Sequence, residues 1–195
     1  DISPHNIFIS WTGDVKIGDF GIAKADNRFH RTATGVLKGK VCYMSPEQAR
    51  GLSLDERSDI FALGIVCYEL FTHEKFFDGL SEFEILEKIK NLSDNIITTS
   101  SKIPDIFKPF LFRAIHPDIE KRFQTMNEMK QALLNIEIEQ GLRHDKDSFA
   151  LWLDNFRPNI TQKKTHSGTK VLEQKDESVS LSIPQLFTEM SDTVE

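Results

Sequence analysis

The sequence predicts a mainly α-helical fold carrying a small β-hairpin, and three features predict it. Residues 55–72 contain the run Ile60-Phe61-Ala62-Leu63-Gly64-Ile65-Val66-Cys67-Tyr68, apolar on every face, so a helix there is buried and others pack around it. Ser81 with Glu84, and Thr125 with Glu128, are capping boxes that announce two more helices. Strand patterning is confined to residues 7–9 and 14–18, short apolar stretches around a Thr12-Gly13-Asp14 turn.

The remaining elements follow in chain order. Residues 19–40 show no helical or strand periodicity, and loops of that length usually carry function or disorder. Pro104-Asp105 opens a segment to about Ile115, with an interruption or kink expected at Pro109. Gly141 marks the end of the helix that begins after Thr125. A last amphipathic stretch, Phe149 to Phe156, stops before Pro158. Beyond it the composition turns polar and no Trp or Tyr remains, so residues 157–195 are expected to be a disordered tail. The expected organisation is therefore one lobe over 1–141, a terminal helix over 142–156 packing on or following it, and the tail.

Composition narrows the function. With 195 residues the chain is long enough to bury a core. Its 24 basic against 30 acidic residues give a formal charge of -6, which disfavours nucleic acid and anionic membranes as partners. Cys42 and Cys67 have no disulfide-scaffold or zinc-module spacing, which points to a reducing, cytoplasmic setting. Cys67, within the apolar run, is expected to be an inert core thiol. The six histidines show no ligand spacing, and no apolar run is long enough to span a bilayer. Because the chain opens at Asp1 in the middle of a motif, it is expected to be a piece whose upstream half is missing.

Three motifs carry the chemistry: Asp1 and Asn6 five residues apart around Pro4, then Asp19-Phe20-Gly21, then Ser45-Pro46-Glu47. In this order and spacing they resemble the eukaryotic-type protein kinase catalytic domain from its catalytic-loop Asp onward, over about residues 1–140. The wording Gly-Lys-Val-Cys-Tyr-Met-Ser-Pro-Glu-Gln-Ala resembles the bacterial Ser/Thr kinases in particular. The resemblance implies a kinase C-terminal lobe with the hairpin at its active site and the small lobe missing. It implies Asn6 and Asp19 as ligands of Mg2+ (or Mn2+) on ATP, and Asp1 as acceptor of the substrate hydroxyl proton. Gly21 permits the backbone that lets the next segment swing. Glu47 and Arg122 fall where the family places a buried ion pair, and Asp59 where it holds the catalytic-loop backbone. Thr32 and Thr34, flanked by Arg28 and Arg31, are candidate phosphosites of an activation loop.

Two positions depart from the family pattern. Ser3 stands where its Ser/Thr members usually have Lys, and Lys40 where they usually have Thr. One ammonium and one hydroxyl remain, at each other's positions, so the expectation is an exchange in which Lys40 reaches the phosphate with Ser3 as its hydrogen-bond partner. The expected function is ATP-dependent phosphorylation of protein serines and threonines. The alternative is a pseudokinase or scaffolding module, against which the retention of Asp1, Asn6 and Asp19 argues. The 195 residues alone, lacking the small lobe, are expected to be inactive and prone to aggregate.

Overall fold

The computed structural model describes residues 2–18, 41–93, 102–142, 145–156 and 180–182. In chain order the elements are β1 (Ile7–Ser10), β2 (Val15–Ile17), α1 (Pro46–Ala49), α2 (Glu56–Thr72), α3 (Glu82–Lys90), α4 (Lys108–Ala114), α5 (Met126–Glu139), α6 (Lys146–Leu153) and β3 (Ser180–Ser182). They fall into two compact units. One comprises Asp1–Ser3 with Phe20–Arg143, the other Pro4–Asp19 with His144–Glu195. The mainly helical fold with a small antiparallel sheet is the one expected from the sequence.

In the larger unit α2 is the axis. Asp55 caps it by accepting the Arg57 N–H, and Ile60, Phe61 and Ile65 are fully buried along it. Helix α4 contributes Leu111 and Ala114 to the buried set, with Ile115 just beyond. The two helices meet at Gly64. A Cβ there would lie 2.5 Å from Ile115 Cγ2 and 2.9 Å from Ala114 Cβ. Gly64→Ala is therefore expected to destabilise the fold despite alanine's better helix propensity. Overpacking costs about 1–3 kcal/mol and the propensity gain offsets about 1 kcal/mol of it. A lowered urea midpoint checks this, and an unchanged or raised midpoint contradicts it.

Two local expectations need correction. Pro109 neither interrupts nor kinks a helix. A 3-10 turn at Asp105–Phe107 leads into α4, and Pro109 lies in its first turn, where a missing N–H costs nothing. The Thr125–Glu128 box is only half formed. Thr125 Oγ1 accepts the Glu128 N–H, but the Glu128 carboxylate accepts from Gln124 N–H and Arg113 instead. The Ser81–Glu84 box is complete, and Ile85 and Ile89 of α3 sit in an apolar cluster with Val41 and Phe77.

The smaller unit is built on the hairpin. Its register pairs Ile7 with Ile17, Phe8 with Lys16 and Ile9 with Val15. Ser10 N–H donates to Asp14 C=O at 2.9 Å, and Gly13 N–H to Ser10 C=O at 2.9 Å, closing the turn. Helix α6 is tied to that turn by Lys146 Nζ, 2.6 Å from Asp14 Oδ1. That hydrogen bond, with one from Thr12, holds the Asp14 carboxyl below its ordinary pKa. Ser180–Ser182 lie in the stretch expected to be disordered, yet they form a strand on the other edge of β1, giving the order β2-β1-β3. Residues 157–179 and 183–195 lie outside the described residues.

Candidate functional site

Asn6 closes a 3-10 turn, Pro4–Asn6, that runs directly into β1, and its side chain is buried. Across the hairpin, Gly18 N–H donates to Asn6 C=O at 2.8 Å. Asp19 is the next residue in the chain, and the antiparallel register is described as far as Gly18, opposite Asn6. Gly18 lies close against the Phe8 side chain. A Cβ would lie 2.7 Å from Phe8 Cε2, so a larger residue would force strand or ring apart just before Asp19.

An amide oxygen and a carboxylate are the kinds of donor that a hard dication such as Mg2+ takes; of the two expected here, the structure describes Asn6. Among the described residues no group of three His, Cys, Asp or Glu side chains converges. Of the other expected site residues, Asp1, Asp19, Gly21, Thr32, Thr34 and Lys40 lie outside the described residues. Ser3 is 1% exposed, and its hydroxyl makes no hydrogen bond among the described residues.

The structure brings Glu47 and Arg122 together, 75 residues apart in sequence. Ser45 caps α1 in a reciprocal box with Gln48, which sets Glu47 in the first turn. Glu47 Oε1 and Oε2 accept from the two terminal nitrogens of Arg122, each at 2.8 Å, and Oε1 also accepts from Ser58 Oγ at 2.7 Å. The guanidinium further donates to the carbonyls of His116 and Arg57, at 2.7 and 3.0 Å, and lies over the Phe61 ring. Nearly every donor of the fork has an acceptor, the condition for holding a charge in a dry interior. Burial would raise the Glu47 carboxyl, but the bonds from Arg122, with Ser45 and Ser58, bring it down to about 2. Asp59 sits in the first turn of α2, half-buried.

A second buried carboxylate escaped the sequence reading. Glu69 Oε2 accepts from Tyr43 Oη at 2.8 Å and Lys75 Nζ at 2.9 Å, and Lys75 also reaches Tyr43 Oη at 3.0 Å. The turn that makes this possible follows His73, whose φ of 55° reverses the chain and returns Lys75 towards the helix it has just left. Tyr43 is pushed well above its ordinary pKa by burial and by the Glu69 charge, so it stays a donor. The network ties the segment before Ser45 to α2. Its sequence signal was a lone Glu in an otherwise apolar helical run, a residue that needs a partner when buried.

Comparison with known proteins decides the family. The family model described as protein kinase domain matches residues 1–134. The chain belongs to that family. Curated relatives of this kinase domain include the tyrosine-protein kinase MasK of Myxococcus xanthus, 40% identical over 136 residues, which cover 68% of this chain and 21% of that protein. The serine/threonine-protein kinase PrkC of Bacillus subtilis is 38% identical over 131 residues, 67% of this chain and 20% of that protein. The serine/threonine-protein kinase PknB of Mycobacterium tuberculosis is 37% identical over 141 residues, 70% of this chain and 22% of that protein. The kinase chain thus spans about a fifth of the length of these relatives. Cys67, within the long helix of the kinase domain, is half-buried rather than part of the fully buried core expected for it, and what burial it has pushes its thiol up to about 11. No described helix of the kinase chain is long and apolar enough to cross a membrane.

Proposed function

We propose that this chain is the catalytic lobe of an ATP-dependent serine/threonine protein kinase, with proteins as its substrates. The observation that carries the reading is the hairpin register, which sets Asn6 and the residue before Asp19 face to face. Asn6 and Asp19 hold Mg2+, which neutralises phosphate charge when bound. Asp1 accepts the proton of the attacking hydroxyl. The Glu47–Arg122 pair fixes the end of the segment that runs from Asp19 to the Ser45-Pro46-Glu47 box, and Thr32 or Thr34 within it takes a regulatory phosphate.

The printed name of MasK supports a second reading, transfer to tyrosine. Incubating the full-length protein with labelled ATP, Mg2+ and a mixed protein substrate, followed by phosphoamino-acid analysis, separates them. Phosphoserine or phosphothreonine is expected. Phosphotyrosine alone would overturn the serine/threonine reading, and binding of ATP without any transfer would leave a pseudokinase.

The exchange of Ser3 and Lys40 belongs to the same proposal. A buried hydroxyl without a partner costs free energy, and the Lys40 ammonium is the donor that would satisfy Ser3. A double-mutant cycle in the full-length kinase tests it. The Ser3→Lys/Lys40→Thr variant is expected to be more active than the product of the two single losses. Activity no better than that product rejects the exchange.

A further inference from the structure

We propose that the open edge of β1 is a docking site for the extended segment Ser180–Ser182 of the same chain, and that this strand steadies the turn bearing Asn6. The second half of the proposal rests on Asn6 being a metal ligand, as argued above.

A two-stranded hairpin is marginal on its own, and β2 covers only one edge of β1. The other edge offers a row of backbone N–H and C=O groups to any extended chain. Strand β3 takes that edge antiparallel, with Phe8 opposite Ser182, Ile9 opposite Leu181 and Ser10 opposite Ser180. It makes β1 the central strand of three. It also contacts the 3-10 turn Pro4–Asn6, so Asn6 is held by Gly18 through the hairpin while its turn is braced by β3.

The local sequence suits the role. Ser178-Val179-Ser180-Leu181-Ser182-Ile183 alternates polar and apolar with the period of a half-buried strand, and Pro184 ends it. This alternation occurs in a stretch whose overall composition is too polar to fold by itself, as expected of a segment that orders only by adding to an existing edge. Residues 157–179 separate the strand from the preceding helix in the sequence, and the entropy of closing a chain of that length grows only slowly with the separation.

The test uses the full-length protein and the variants Leu181→Pro, Ser182→Pro and Leu181→Val. On an edge strand alternate residues donate to the neighbour, so one of the two prolines removes a ladder donor. Hydrogen exchange of the Ile7–Ser10 amides is expected to quicken in at least one proline variant and to match the parent in Leu181→Val. Calorimetric titration of Mg2+ in the presence of ATP is expected to show about tenfold weaker binding in the same proline variant, the usual loss when a ligand's support is removed. Exchange unchanged in both proline variants would overturn the docking. Faster exchange with unchanged Mg2+ affinity would overturn the link to Asn6. Neither readout needs turnover, so the strand is decided even if phosphoryl transfer is not found.

Discussion

Arg122→Met is expected to destabilise the protein by about 3–5 kcal/mol, because it strands the Glu47 carboxylate in a dry site. The arginine is 1% exposed and binds both carboxylate oxygens, so no water replaces the lost donors. The carbonyls of His116 and Arg57 lose their bonds from it as well. In a double-mutant cycle with Glu47→Gln, urea unfolding should show a coupling of about 2–3 kcal/mol. Strictly additive losses would mean that the two side chains do not act as a pair. The same bond sets an acid limit. The Glu47 carboxyl is lowered in the folded state from 4.5 to about 2, so the unfolded chain binds the proton more readily. Its contribution is therefore complete above about pH 4.5 and is lost as the pH falls through about 2, a change of about 3 kcal/mol. In Arg122→Met that acid-dependent loss should shrink or vanish.

Much of this was legible in the sequence because it is local. The buried helix declared itself by having no polar face over Ile60–Tyr68, and Ser81 with Glu84 marked the start of another. The hairpin was readable from two short apolar stretches and a Gly turn. What failed depended on partners far along the chain. Pro109 reads equally well as a breaker or as a first-turn residue, and only the 3-10 turn before it decides. Glu128 was expected to complete a box with Thr125, but Arg113 and the Gln124 N–H compete for its carboxylate. Lys75 could not be read as the partner of Glu69, since its approach depends on the left-handed turn at His73. Ser180–Ser182 were hidden for another reason. A composition average over 157–195 dilutes a six-residue alternation that gains its stability from an edge elsewhere in the chain. At the site, Glu47 and Arg122 were matched from family spacing, whereas the serine that shares Glu47, Ser58, carried no signal of its own.

Asp1→Asn in the full-length kinase is expected to lower kcat by about 10²–10⁴-fold while leaving KM for ATP nearly unchanged. The asparagine keeps the shape and a hydrogen bond to the hydroxyl but has no basicity, so the loss falls on the step in which the proton moves. Asn6→Ala should behave differently. In the proposed role it removes an oxygen donor to the metal, so its activity should recover in part as Mg2+ is raised, whereas no Mg2+ concentration should rescue Asp1→Asn. The contrast follows from the separate roles proposed for Asn6, whose carbonyl accepts the Gly18 N–H across the hairpin, and for Asp1. Steady-state kinetics over a Mg2+ series measure both variants. Equal rescue of the two by Mg2+ would place Asp1 among the metal ligands, and a rise in KM for ATP without a fall in kcat would remove it from proton transfer altogether.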